Sequence, residues 1–183
     1  MTREDTIINA GRLINDISMS ELMKGYERKI LDFVSLLQFK TVVFDFDGTL
    51  TWFKYAEDRL LPCKDSDLYE YSKKGNIYEN VNILRTMQYV MNELNPNDVF
   101  ILTTTVETLR SKKENVILRS FPTVKKDNII HTYSSNGKID KLREIYELQK
   151  KEIIFVEDMA SILLKAEETL DYVRGFHVSG LIS

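Results

Sequence analysis

Two aspartates lie two positions apart directly after a short apolar run. The run is Thr41-Val-Val-Phe44, and the segment Asp45-Phe46-Asp47-Gly48-Thr49-Leu50-Thr51 follows it. If the run is a buried strand, side-chain alternation points both carboxylates to the same side. Two like charges held together are unfavourable unless a cation or a shared proton offsets them. The pattern predicts a cation site or acid–base chemistry, and it also allows an ordinary acidic turn, because Asp and Gly both favour turns.

Hydroxyl groups follow a second apolar run, Val99-Phe-Ile-Leu102. Thr103, Thr104 and Thr105 come directly after it, just before a predicted helix. Their hydroxyls, together with the amides of the helix N-terminus, suit a bound phosphate. The alternative is that Thr104 or Thr105 only caps the helix, since threonine is a common N-cap residue.

A lysine and a second acidic pair occupy two later positions of this kind. Lys138 lies at the start of a predicted helix, where the helix dipole does not favour a cation. An anionic ligand would explain this placement, and a solvated lysine is the alternative. Glu157 and Asp158 follow another apolar run, where they are candidates for metal ligands. Acidic residues in the first turn of a helix are also favoured by the dipole alone.

The chain alternates between apolar runs and helical patterns from Thr41 onward. The short runs are typical of strands buried on both faces, and the apolar spacing between them predicts helices. Predicted strands span Thr41–Phe44, Val99–Leu102, Asn128–His131, Lys151–Val156 and Gly175–Val178, and predicted helices span 81–94, 106–116, 139–148 and 162–170. This order predicts an α/β fold with a parallel sheet of about five strands and helices on both faces. Ligands bind beyond the carboxyl ends of such strands, which is where the polar residues lie.

Residues 1–38 precede this pattern and carry apolar side chains at helical spacing. We interpret them as an N-terminal helical extension, with residues 39–183 forming the α/β core. The simplest role of the extension is to pack on that core. A dimer surface, and so a homodimer, is the alternative.

Composition narrows the class of protein. The chain has 183 residues, of which 43% are hydrophobic and 29% charged, and its net charge is −3. These values argue against a disordered protein and against one that binds nucleic acid over its whole surface. The single cysteine, Cys63, permits no internal disulfide. No targeting signal and no membrane-spanning run is visible, so we predict a cytoplasmic protein without a membrane partner.

Taken in this order, the polar sets resemble the motifs of the haloacid dehalogenase (HAD) superfamily. The resemblance covers roughly residues 40–180, and its first motif, Asp45 to Thr51, is highly specific. It implies a Rossmann-like core and a phosphatase-like activity. It also implies a specificity cap that is minimal or absent, because residues 52–79 are too few for a full cap and fit an enlarged flap loop. The aromatic residues of this flap are Trp52, Phe53, Tyr55, Tyr69, Tyr71 and Tyr78, which stack on a base or sugar or only pack locally.

The resemblance implies hydrolysis of phosphomonoesters through an aspartyl-phosphate intermediate. Asp45 would be the nucleophile, and Asp47 would protonate the leaving oxygen and then activate water. Thr103, with Thr104 beside it, and Lys138 would bind the phosphoryl oxygens.

The cofactor that the resemblance implies is Mg²⁺, which prefers oxygen ligands. The ligands would be Asp45, the backbone carbonyl of Asp47, and Asp158, with Glu157 reaching the metal through water.

Two details depart from the family's pattern or leave a choice open. The segment Met159-Ala160-Ser161 supplies no further acid after the second acidic pair. Lys141 is an alternative to Lys138 as the phosphate-binding lysine. Lys138 is preferred because Leu142, four residues later, resembles the family's usual helix start.

Other functions stay open beside the phosphatase. They are a phosphomutase and a catalytically weak binding or regulatory module with the same fold. The expected partner is a phosphorylated small molecule or macromolecule. A basic cluster within residues 110–126 is either a solvated helix face or a surface that steers a polyanion, including nucleic acid. Its cations are Arg110, Lys112, Lys113, Arg119, Lys125 and Lys126.

Overall fold

The computed structural model describes residues 21–52, 54–56, 59–60, 77–79 and 81–181. The α-helices within these ranges are α1 (Glu21–Leu37), α2 (Arg85–Asn92), α3 (Glu107–Ser120), α4 (Gly137–Gln149) and α5 (Ala160–Thr169). The strands are β1 (Thr41–Phe44), β2 (Thr51–Trp52), β3 (Lys54–Ala56), β4 (Arg59–Leu60), β5 (Asn82–Ile83), β6 (Val99–Thr104), β7 (Ile129–Thr132), β8 (Ile153–Glu157) and β9 (Val173–His177).

The chain divides into two units between Leu36 and Leu37. The first unit contains most of α1, which lies in the predicted helical extension. The other part of that prediction, residues 1–20, lies outside the described residues. The second unit contains every described strand and the helices from α2 onward.

Five parallel strands form the central sheet of the second unit, in the order β7-β6-β1-β8-β9. Val42 of β1 is in register with Val99 of β6 on one side and with Ile154 of β8 on the other. The predicted α/β fold with a five-stranded parallel sheet is therefore confirmed. The chain builds outward from β1 in one direction and then in the other, which creates the switch point where such sheets bind ligands.

The chain adds β6 and β7 on one side of β1 and then β8 and β9 on the other side, and this reversal places helices on both faces of the sheet. Because crossovers between parallel strands are right-handed, α2 and α3 cover one face while α4 and α5 cover the other. The α4–α5 face is a continuous apolar core. Its members include Val43, Phe100, Leu102, Phe155, Leu142, Ile145, Ile162 and Leu163. On the other side, α2 buries Met87, Val90 and Met91, and α3 buries Leu109, Val116 and Ile117.

The helix predicted over residues 81–94 is shorter than its apolar spacing indicates. It begins at Arg85, because residues Asn82–Ile83 instead pair antiparallel with Thr51–Trp52. The backbone amide of Leu84 donates to the Leu50 carbonyl at 3.0 Å. Pairing with the segment after the first acidic motif thus withdraws these residues from the helix, and local periodicity carries no sign of a partner so far away in sequence.

None of the helices that the structure describes is both long enough and apolar enough to span a bilayer.

Two leucines of α4 test whether this helix is held by the core. Leu142 is fully buried, whereas Leu148 on the same helix is 71% exposed. We expect Leu142→Ala to lower the free energy of unfolding by about 2–5 kcal/mol, because it leaves a cavity against the sheet. Leu148→Ala, the matched control, changes that free energy by about 0.5 kcal/mol or less. Urea denaturation measures both, and equal losses from the two variants would contradict this packing.

Candidate active site

A tight loop carries the first acidic motif from β1 to the centre of the carboxyl edge. The amide of Asp45 still donates to the Val156 carbonyl of β8, at 2.9 Å. The chain then turns at Gly48, whose φ of +84° lies in the left-handed region that glycine adopts without strain. A Cβ at position 48 would collide with the Asp158 carboxylate. Glycine is needed here both for the turn and for the close approach of the second acidic motif.

Lys138 joins the two acidic motifs from the first turn of α4. Its Nζ lies 2.7 Å from Asp45 Oδ1 and 2.6 Å from Glu157 Oε2, and all three side chains are buried. The other predicted candidate, Lys141, pairs instead with Glu144 on the exposed side of α4, at 2.6 Å. Of the two lysines, it is Lys138 that contacts the acidic residues at the sheet edge.

Three carboxylates form a cluster that could hold a metal ion. Asp45, Glu157 and Asp158 each offer one oxygen, and these oxygens lie within 4.8 Å of one another. An all-oxygen donor set of this kind suits a hard cation such as Mg²⁺. The Asp47 carboxylate is not a member of the cluster, and the predicted role of its backbone carbonyl stays a prediction.

Both oxygens of Glu157 are engaged within the protein. Oε2 accepts from Lys138, and Oε1 accepts from the backbone amides of Asp158 and Met159 at 3.2 and 3.3 Å. These bonds hold the turn after β8 against the carboxylate. They also fix the direction in which the neighbouring acidic residue leaves the strand.

Asp47 lies in a second, separate polar network. Lys113 Nζ of α3 lies 2.6 Å from Asp47 Oδ2, 3.0 Å from Thr103 Oγ1 and 2.8 Å from the Thr104 carbonyl oxygen. The Tyr78 hydroxyl donates to Asp47 Oδ1 at 3.2 Å. The loop therefore separates the two aspartates of the first motif, so that each one faces a different buried lysine.

The assignment of Lys113 to a solvated or polyanion-steering surface is wrong. Its side chain is only 1% exposed, whereas its neighbour Lys112 is exposed. The sequence did contain a signal for this, because Lys113 lies four residues after Leu109 and three before Val116. Those two residues belong to the inward stripe of α3, so position 113 must also face inward.

The three consecutive threonines do not cap α3. The N-cap residue is Val106, without a side-chain hydrogen bond, so the capping alternative is wrong. The Thr104 hydroxyl contacts the Thr132 hydroxyl at 3.3 Å, and the Thr105 hydroxyl contacts His131 Nδ1 at 3.0 Å. β6 continues to Thr104, two residues beyond the predicted end of the strand, which moves the helix start away from the threonines.

Two residues outside the predicted motifs also support the site. His177, at the end of β9, contacts the Asp158 carbonyl through Nε2 at 2.8 Å, while its Nδ1 accepts from the Ser179 amide. Tyr78 is the flap aromatic whose side chain the structure describes, and it packs against Phe46 and Asp47. The side chains of the other flap aromatics, positions 52, 53, 55, 69 and 71, lie outside the described residues.

Burial and charge crowding shift the pKa values of the site. Burial raises the pKa of Glu157 to about 9, Asp45 adds to this shift, and Lys138 opposes it. Burial also raises the pKa of Asp158. For Lys138, burial alone would lower the pKa, but Asp45 and Glu157 outweigh it and raise the value. With four carboxylates against two lysines, negative charge is in excess at the site, which favours a bound proton or an additional cation.

Asp47 has a raised pKa for a related reason. Burial is the largest cause, Lys113 opposes it, and the nearby Asp45 charge adds to it. A carboxyl group whose pKa is moved towards neutrality is better suited to give and take a proton near physiological pH.

The Glu157 shift gives a pH dependence of stability in the absence of divalent cations. The folded protein keeps this proton up to about pH 9, whereas the unfolded chain loses it near the ordinary pKa of 4.5. Between these values the folded state binds the extra proton, so the free energy of unfolding falls as pH rises. We expect Glu157→Gln to flatten that fall, measured by urea denaturation in chelator across the window. Glu144→Gln, at an exposed carboxylate, keeps the parent slope, and a parent slope in both variants would contradict the prediction.

Comparisons of this chain with protein-family models, with curated proteins and with solved structures gave no match. The resemblance to the HAD superfamily therefore stays a prediction from the residues. What the site does has to be argued from its own geometry and chemistry.

Proposed function

We propose that the protein is a Mg²⁺-dependent phosphatase that hydrolyses phosphomonoesters through a covalent intermediate on Asp45. The observation that carries the proposal is the separation of two neighbouring carboxylates into different settings. Asp45 lies against Lys138 and the acidic cluster, whereas Asp47 is held by Lys113 and Tyr78. Pairs of carboxylates in contrasting environments are the usual basis for dividing nucleophile and acid–base roles.

In the first step, a carboxylate oxygen of Asp45 attacks the phosphorus of the substrate. The bond between phosphorus and the ester oxygen breaks, and Asp47 gives its proton to the departing oxygen. The raised pKa of Asp47 supports this role, because the group must carry a proton when the substrate binds.

In the second step, Asp47 takes a proton from water as the water oxygen attacks the phosphorus. The bond between phosphorus and the Asp45 oxygen breaks, which releases inorganic phosphate and restores both carboxyl groups to their starting states. One residue thus serves as acid and then as base. It needs only to stay within reach of the same phosphorus during both steps.

Lys138 is the residue best placed to offset negative charge beside Asp45. Its ammonium group lies 2.7 Å from the Asp45 carboxylate and is buried, where electrostatic interactions are stronger than in water. Charge spreads over the phosphoryl oxygens during transfer, so a fixed cation here favours the transition state.

The acidic cluster fits Mg²⁺ by its donors. Asp45 and Asp158 would supply oxygen ligands, and Glu157, whose two oxygens are engaged within the protein, would reach the metal through water. The missing Cβ of Gly48 lets the Asp158 carboxylate come close to the first acidic motif. When bound, Mg²⁺ would add positive charge that offsets the charge of the phosphoryl oxygens. It would also relieve the charge crowding that makes Glu157 retain a proton.

Gly48 offers a test of the metal assignment that does not depend on activity. Gly48→Ala places a methyl group against the Asp158 carboxylate at a backbone angle that disfavours alanine. We expect Mg²⁺ affinity, measured by isothermal titration calorimetry, to fall about tenfold or more. Gly137→Ala is the control, because a Cβ there makes only ordinary contacts. Equal Mg²⁺ affinity in both variants, or no Mg²⁺ binding by the parent, would contradict the assignment.

Phosphate release from a panel of phosphomonoesters tests the reaction itself. We expect turnover that requires Mg²⁺, stops with chelator, and falls about a thousandfold or more in Asp45→Asn, because the nucleophile is lost. Asp140→Asn is the matched control, at an exposed aspartate of α4. A folded protein that binds Mg²⁺ but hydrolyses no member of the panel, or an Asp45→Asn variant as active as the parent, would argue against the proposal.

A further inference from the structure

We infer that Lys113 is a positioning residue that holds Asp47 where it can deliver a proton to the leaving group, with Thr103 as one of the acceptors that fix Lys113. The inference rests on the proposed function and deepens it. In the sequence, Lys113 belongs to a group of basic residues on the helix after β6, and it is no part of the motifs that carry the family resemblance.

The ammonium group of Lys113 is fixed by three acceptors. These are Asp47 Oδ2 at 2.6 Å, Thr103 Oγ1 at 3.0 Å and the Thr104 carbonyl at 2.8 Å. A lysine ammonium has three N–H donors, so this set satisfies all of them. Two of the acceptors belong to β6, an interior strand of the sheet. Lys113 therefore connects Asp47, which lies on a loop, to an interior strand of the central sheet.

Charge balance makes this connection specific for Asp47. A buried ammonium group is strongly unfavourable without a partner of opposite charge. In the part of the chain that the structure describes, the carboxylate within ion-pairing distance of Lys113 is Asp47. The contact holds Asp47 in place, because moving its carboxyl group away leaves the buried ammonium of Lys113 without this acceptor.

The same geometry argues against direct binding of phosphate by Lys113. Each of the three donors of its ammonium group already has an acceptor within the protein. The Lys113 Nζ also lies 5.4 Å from the centre of the Tyr78 ring and 5.9 Å from that of Phe46. These aromatic rings close the pocket around the ammonium. The effect of Lys113 on the reaction must pass through the carboxyl group that it holds.

A positioning role of this kind has a chemical signature in the choice of substrate. A poor leaving group, such as an alkyl alcohol, needs a proton as its bond to phosphorus breaks, whereas 4-nitrophenolate needs little help. Loss of a well-placed acid should therefore slow alkyl phosphates much more than 4-nitrophenyl phosphate. The ratio kcat/KM reports the steps up to leaving-group departure, so it isolates this effect.

The experiment compares kcat/KM for an alkyl phosphate and for 4-nitrophenyl phosphate in Mg²⁺. For Lys113→Gln we expect a loss of about a hundredfold on the alkyl substrate and less than about tenfold on the aryl substrate. Thr103→Val removes one of the acceptors of Lys113 and should give the same selectivity with smaller losses. Lys112→Gln, at the exposed neighbouring lysine, is the matched control and should behave as the parent on both substrates.

Equal losses on the two substrates, or no loss, would overturn the inference and leave Lys113 with a purely structural role. If Lys113→Gln fails to fold by circular dichroism, Thr103→Val decides by the same comparison. A parent protein that turns over neither substrate would instead refute the proposed phosphatase activity, and the inference with it. An inactive parent thus contradicts the proposed function, whereas an active parent with unselective variants contradicts only the positioning role of Lys113.

Discussion

The arrangement of this protein depends on the repulsion among four carboxylates at one edge of a parallel sheet. Asp45, Glu157 and Asp158 meet where the adjacent strands β1 and β8 end. Asp47 lies two residues along the loop from Asp45, near enough for the Asp45 charge to raise its pKa. The protein does not disperse them into solvent. It places a buried lysine against each side of the group, so that the acidic motifs are held close while part of their charge is offset. The two lysines do not neutralise all four carboxylates, and the remaining negative charge makes the site suited to a cation.

Helices on opposite faces of the sheet supply the two lysines. Lys138 comes from α4 and Lys113 from α3, and the right-handed crossovers place these helices on different sides of the strands. Each lysine can be buried because an apolar face anchors the helix that carries it. Helix α4 packs against the sheet and against α5. Helix α3 is anchored by its buried residues Leu109, Val116 and Ile117. The core therefore does more than stabilise the fold, since it fixes the two cations that divide the carboxylates between their settings.

Much of the fold was accessible from local pattern, and some of it was not. Short apolar runs predicted all five strands of the sheet, because strands buried on both faces need apolar residues throughout. The start of α2 was misplaced because β5 pairs with β2, a contact that periodicity does not encode. The run of basic residues over 110–126 predicts a surface position for Lys113, and this prediction is wrong. Its spacing from Leu109 and Val116 places it on the inward stripe of α3, and the helical position is the better guide here.

The sequence by itself determined which residues lie at the carboxyl edge, since alternating strands and helices predict a parallel sheet, in which the ends of all the apolar runs share one edge. It also determined the turn at Gly48, because a positive φ calls for glycine. Only the tertiary structure decided that Asp45 and Asp47 face different lysines, that Lys138 and not Lys141 points inward, and that the threonines serve no helix cap. Those outcomes depend on contacts between elements that are far apart in the chain. A charged side chain can be buried there because a partner of opposite charge lies beside it, and local sequence does not reveal that partner.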